Sequence, residues 1–100
     1  MIHLRPDELR LVRAILRTYV PGREVRAFGS RVDAKVKPMS DLDLCIMGDD
    51  RLQPAALERL RSAFSESTLR MKVDLVEWAD LNGSFRTIIQ TTATVIQPVR

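Results

Sequence analysis

Apolar residues recur three or four apart near the start of the chain, at Leu9, Val12, Leu16 and Tyr19 with Ile15 beside them, and this spacing predicts a helix with one buried stripe. The helix should begin near Pro6, because the missing N–H of proline has no intrahelical acceptor in the first turn. Asp7 and Glu8 then face the positive end of the helix dipole. Arg5 is a poor cap, but Leu4 and Leu9 are spaced to form a hydrophobic staple. Pro21-Gly22 ends the helix. Its outer face carries Arg10, Arg13 and Arg17, which reads as a solvated face, with a partner or nucleic-acid contact as the alternative.

Beyond that turn the segments shorten and strands alternate with helices. Glu24 to Phe28 is β-prone and stops at Gly29-Ser30, and residues 31–37 predict a helical turn and a loop closed by Pro38. Asp41 to Met47 predicts the second strand, and Pro54 to about Ser65 a helix that buries Leu57, Leu60 and Phe64. Met71 to Trp78 predicts the third strand. Phe85, Ile88 and Ile89 after Gly83 predict a last helix, followed by an extended tail from Ala93 to Gln97. The expected class is α/β (α+β), in the order α-β-α-β-α-β-α: one domain over residues 1–100, with a small mixed sheet and helices packed on one face.

Candidate chemistry emerges when the strand period is applied to the acidic residues. Asp41 and Asp43 point to one face, about 6.6 Å apart along the backbone, while Leu42, Leu44 and Ile46 point to the other. Two adjacent carboxylates repel unless a cation neutralises them, and Mg2+ is the hard ion that shares its shell between carboxylates, water and substrate phosphates. The third strand repeats the pattern, with Met71, Val73 and Leu75 on one face and Lys72, Asp74 and Val76 on the other. Were the two strands neighbours, Asp41, Asp43 and Asp74 would form a cluster able to hold two divalent ions roughly 3.5–4 Å apart. The plainer alternative is a surface acid on an exposed sheet face. Cys45 lies on the carboxylate face without a nearby histidine, so it reads as a half-buried structural thiol, and Trp78 as an anchor at the core edge.

Composition narrows this picture. At 100 residues, 45% hydrophobic and 29% charged, the chain has the balance of a folded domain. One cysteine and one histidine exclude an internal disulfide and a multi-Cys/His zinc site, so any metal is held by oxygen. No apolar run approaches the roughly 18–20 residues of a membrane span and no signal-like stretch opens the chain, which reads as cytoplasmic. The net charge of +3 is uneven: residues 39–50 hold four Asp and no Lys or Arg, inside flanks that are net basic. A local cation site surrounded by anion-receptive groups fits that distribution.

The Gly29-Ser30 turn, ten intervening residues and Asp41-Leu42-Asp43 together resemble the nucleotidyltransferase signature of the DNA polymerase β superfamily, most closely the minimal nucleotidyltransferases paired with HEPN toxins. The resemblance extends over essentially the whole chain. It implies a polymerase β-like fold in which Gly29, Ser30 and Arg31 bind and orient the triphosphate of ATP. It also implies that Asp41, Asp43 and Asp74 ligate two Mg2+ ions and carry the catalysis, Asp74 helping to accept the proton of the attacking hydroxyl. Pro38 and Ser40 also fit the motif, and Lys37 replaces an arginine with its charge retained. Asp33 and Ala34 stand where a basic residue and a glycine are frequent, which predicts weakened nucleotide binding rather than a dead site.

By the same resemblance the chain is an antitoxin that transfers AMP from ATP to a tyrosine of a HEPN-domain toxin in a hetero-oligomer, since it is too short to hold an acceptor domain of its own. The alternative is a non-catalytic antitoxin that neutralises its partner by binding alone. Direct nucleic-acid binding is disfavoured, because aromatics make up 5% of residues and form no stacking pattern.

Overall fold

The computed structural model describes residues 2–33 and 35–99. Pro6 opens helix α1 (Pro6–Tyr19), and the weakness of Arg5 as a cap is repaired from inside the helix, where Glu8 Oε1 accepts the Arg5 N–H at 3.0 Å. Val12, Ile15 and Leu16 are buried. Tyr19, expected on the same stripe, is 39% exposed, because the chain leaves the helix at Val20 and that residue takes the core position instead.

Strand β1 (Val25–Phe28) runs into a 3-10 turn (Gly29–Val32), and β2 (Leu42–Ile46) follows after the loop. Helix α2 (Pro54–Ser65) has the bounds its sequence predicts and leads to β3 (Val73–Glu77). A short 3-10 turn (Trp78–Asp80) precedes α3 (Gly83–Thr92), whose N-cap Asn82 side chain accepts the Phe85 N–H, and β4 (Thr94–Gln97) ends the fold. The sheet order is β3-β2-β1-β4. β1 is antiparallel to both β2 and β4, whereas β2 and β3 are parallel and joined across α2, so the sheet is mixed as expected.

Two expectations are corrected. The tail after α3 is a fourth strand paired to β1, so the element order ends in β rather than α. Ile96 is buried there, and Gln97 Nε2 donates to the carbonyls of Val20 and Arg23 at 2.9 Å each. Arg13, read as part of a solvated face, donates from Nε to the Ile96 carbonyl and ties α1 to this strand. The helices, moreover, are not confined to one face. α1 and α2 cover the face carrying Val25, Ala27, Leu42, Leu44 and Ile46, but Ile89 of α3 packs with Phe28 and Cys45 in a second cluster, leaving Ile88 51% exposed. Among the described residues no helix is long and apolar enough to cross a membrane.

Candidate active site

The parallel register sets Asp43 directly beside Asp74, as the strand pattern anticipates for neighbouring strands. Adjacent strands lie about 4.8 Å apart, so the two carboxylates share one face of the sheet at close range. Asp41 sits half-buried one residue before β2. The Asp43 carboxyl is held above the usual carboxylate range by burial first, then by the charge of Asp74 and then by that of Asp41. Lys72 Nζ lies 3.5 Å from Asp74 Oδ1 and offsets part of the negative charge. Among the described residues no three His, Cys, Asp or Glu side chains are gathered closely enough to form a ready-made metal cage. What the fold brings together is the Asp43–Asp74 pair with Asp41 in electrostatic reach. These donors are all oxygen, and a hard divalent ion would relieve the repulsion that raises Asp43, so the residues fit Mg2+ in kind.

Gly29 couples the turn to these acids. Its φ is +77°, a left-handed conformation that L side chains rarely adopt, and a Cβ at this position would collide with Asp43 Oδ2. Glycine is therefore required twice here, by backbone conformation and by the carboxylate pressed against it. Ser30 follows, half-buried in the 3-10 turn, while Phe28 just before it pairs in register with Asp43. The Gly-Ser turn and the carboxylates thus meet at one corner of the sheet.

Arg31, expected to orient the phosphates, is placed just after the Gly-Ser turn with its guanidinium turned to backbone carbonyls. Its side chain is buried at 3% exposure, and the guanidinium is consumed by backbone carbonyls: Nε and Nη2 donate to Ser40 O, Nη2 also to Pro38 O, and Nη1 to His3 O, all within 2.9–3.1 Å. It fixes the segment that enters β2 at Asp41. Asp33, one of the two departures from the motif, accepts the Lys35 N–H and shapes the loop, whereas Ala34 lies outside the described residues.

A second arginine grips the same segment, and nothing in the sequence points to it. Arg70 donates from Nε to Glu8 Oε2 at 2.7 Å and from Nη2 to Glu8 Oε1 at 3.1 Å, and its Nη1 reaches Pro38 O at 3.3 Å. The paired arginine, the Arg5 N–H and the charges of Arg70 and Arg5 outweigh burial and lower the Glu8 carboxyl from 4.5 to about 2. Sixty-two residues separate Glu8 from Arg70, so no local spacing rule reveals the pair.

Cys45 is fully buried, deeper than its reading as a half-buried thiol, and burial pushes its thiol up to about 11, which leaves no thiolate for nucleophilic chemistry. Trp78 is half-buried at the edge of the second cluster, with the Arg86 guanidinium 4.7 Å from its ring centre. An open groove of about 880 Å³ is lined in part by Asp43 and Asp74 and by Phe28 and Phe85, which meet edge to face at 5.6 Å.

The family model described as "Polymerase beta, Nucleotidyltransferase" matches residues 12–97. The chain is 46% identical over 96 residues to the probable protein adenylyltransferase MntA of Haemophilus influenzae, a match covering 96% of this chain and 84% of that protein. Its fold is similar to a toxin–antitoxin crystal structure with AMP-PNP, at a TM-score of 0.74 and 22% identity over 92% of this chain and 74% of the other. It is also similar to a solved structure of the tri-AMPylated Shewanella oneidensis HEPN toxin in complex with MNT antitoxin, at a TM-score of 0.64 and 21% identity over 91% of this chain and 73% of the other. At these identities the structural likeness speaks for the fold.

Proposed function

The chain belongs to the polymerase beta nucleotidyltransferase family, and from that premise we propose that it is a protein adenylyltransferase that acts as the antitoxin of a HEPN-domain partner. In this reading residues 1–100 work as one minimal transferase domain in the cytoplasm, in a hetero-oligomer with that partner, and move AMP from ATP to a tyrosine hydroxyl on it. The observation that carries the reading is the corner where Asp43 stands in register with Asp74 and fills the place of the missing Gly29 Cβ.

The tyrosine oxygen attacks the α-phosphorus of ATP, an oxygen–phosphorus bond forms, and the bond to the leaving pyrophosphate breaks. Asp74 takes the hydroxyl proton. Gly29 and Ser30 receive the triphosphate, while Arg31 acts through the backbone, holding Ser40 and Pro38 so that Asp41 enters β2 in position. Asp41, Asp43 and Asp74 would hold Mg2+, which when bound would supply positive charge for the α-phosphate and the departing pyrophosphate.

A second reading is favoured by one observation. Arg31 is committed to carbonyls and Asp33 to its own loop, so two positions that would offer cationic phosphate contacts do not, as expected of an antitoxin that blocks its partner by binding alone. Both readings are tested by incubating the purified chain with its co-expressed HEPN partner, labelled ATP and Mg2+, and locating the label by mass spectrometry. Label on a partner tyrosine that falls by about 100-fold in Asp74→Asn supports transfer. Neutralisation of the partner with no label in either protein supports the binding-only reading.

A further inference from the structure

The sheet order leaves β3 paired on one side only. In a parallel pair alternate residues of a strand turn both their N–H and their C=O toward the same neighbour. The Leu42 N–H donates to the Lys72 carbonyl at 2.9 Å, so the even-numbered residues of this segment face β2. Val73 and Leu75 accordingly turn their N–H and C=O groups away from the sheet, and no turn, loop or side-chain hydrogen bond among the described residues takes up those four groups. The groove lined by Asp43 and Asp74 follows this edge. Lys72, Val73, Asp74, Leu75 and Val76 all line it, and consecutive residues of both faces can border one groove only along the rim of a strand. The end of α2 also lines it, with Arg61 and Phe64.

We propose that the β3 edge is the docking site for the acceptor segment: an extended stretch of the partner protein adds to β3 as a fifth strand and so delivers its hydroxyl residue to Asp43 and Asp74. This rests on the reading that the acceptor is a protein. Free N–H and C=O groups on an edge strand are the template such a segment requires, and the added backbone bonds hold it in one register. Side chains of the docked strand alternate faces. The hydroxyl residue lies on the face of Asp74, an acidic residue two positions along that face meets Lys72, and an acid on the alternate face meets Arg61. The chemistry recognised is thus an extended, acidic, tyrosine-bearing segment, held by Lys72 and Arg61 beside the catalytic acids.

The test combines amide exchange with kinetics. The probes are a labelled heptapeptide with a central tyrosine flanked by valine and aspartate, its lysine-flanked counterpart, and a version of the first with N-methylated backbone amides. In the free protein the Val73 and Leu75 amides should exchange rapidly, and at about 1 mM aspartate peptide they should slow by roughly tenfold or more. The lysine peptide and the N-methylated peptide should each bind at least about tenfold more weakly. With the whole partner as acceptor, Arg61→Glu should raise KM for the partner by about tenfold and leave KM for ATP unchanged. Unprotected Val73 and Leu75 amides, or an unchanged partner KM in Arg61→Glu alongside normal AMP transfer, would overturn the docking site while leaving the transferase reading intact. Protection of both amides with no AMP transferred in the parent protein would support the docking site and remove the transferase reading.

Discussion

Replacing Glu8 by glutamine takes one charge out of the contact that joins α1 to the segment before β3. Glu8 is 3% exposed and accepts both Arg70 hydrogen bonds as well as the Arg5 N–H. Its carboxyl is lowered from 4.5 to about 2, which for a fully shielded group corresponds to about 3 kcal/mol of folding free energy. The Arg70 side chain is 36% exposed, so solvent screens the pair and the working figure is about 1–2 kcal/mol. The sign follows from the direction of the shift. A carboxyl held lower in the folded chain than in the unfolded one stabilises fully above about 4.5, and that stabilisation is lost as pH falls through about 2. Glu8→Gln should therefore melt about 5–10 °C below the parent at pH 7, with the gap narrowing steadily between pH 4.5 and pH 2. Thermal and urea unfolding of both proteins across that range is the assay. A gap below about 0.5 kcal/mol at pH 7, or one that persists undiminished at pH 2, would refute the reasoning. Because Arg70 also holds Pro38 O, the variant should show weaker ATP binding at pH 7 as the entry to Asp41 loosens.

Gly29→Ala should cost about 1–2 kcal/mol for its left-handed backbone and push Asp43 aside, so nucleotide transfer should fall by about 100-fold while partner affinity, read by titration, stays near the parent value. Arg31→Lys should destabilise by about 2–3 kcal/mol in urea unfolding, because carbonyls of His3, Pro38 and Ser40 lose donors; unchanged stability with lost ATP binding would return Arg31 to the phosphates. Mg2+ with ATP should raise the melting temperature of the parent but not of Asp41→Asn/Asp43→Asn, as scanning fluorimetry would record. Cys45 should resist thiol reagents in the native state and react only on unfolding, since burial raises its thiol to about 11.

Local sequence pattern determined α1 and α2, down to the proline that opens each, because helical spacing and the proline N1 preference depend on backbone geometry within a few residues. It also determined the two-faced character of β2, since side chains of a strand alternate whatever lies beside it. Asp41, Asp43 and Asp74 are therefore legible as site candidates in the sequence alone. Which strands become neighbours is a property of the assembled sheet. The tertiary structure alone paired Asp43 with Asp74, made a strand of Thr94–Gln97 by offering it the free edge of β1, and placed α3 on the second face. It also decided the fate of the charges. Arg31 carries the motif, and its guanidinium meets the carbonyls of His3, Pro38 and Ser40, while Glu8, placed by sequence at a helix start, finds its partner in Arg70, 62 positions away. Periodicity is a local constraint and survives without the fold, but a buried donor or acceptor must be satisfied by whatever the fold brings to it, and that selection is made only in three dimensions.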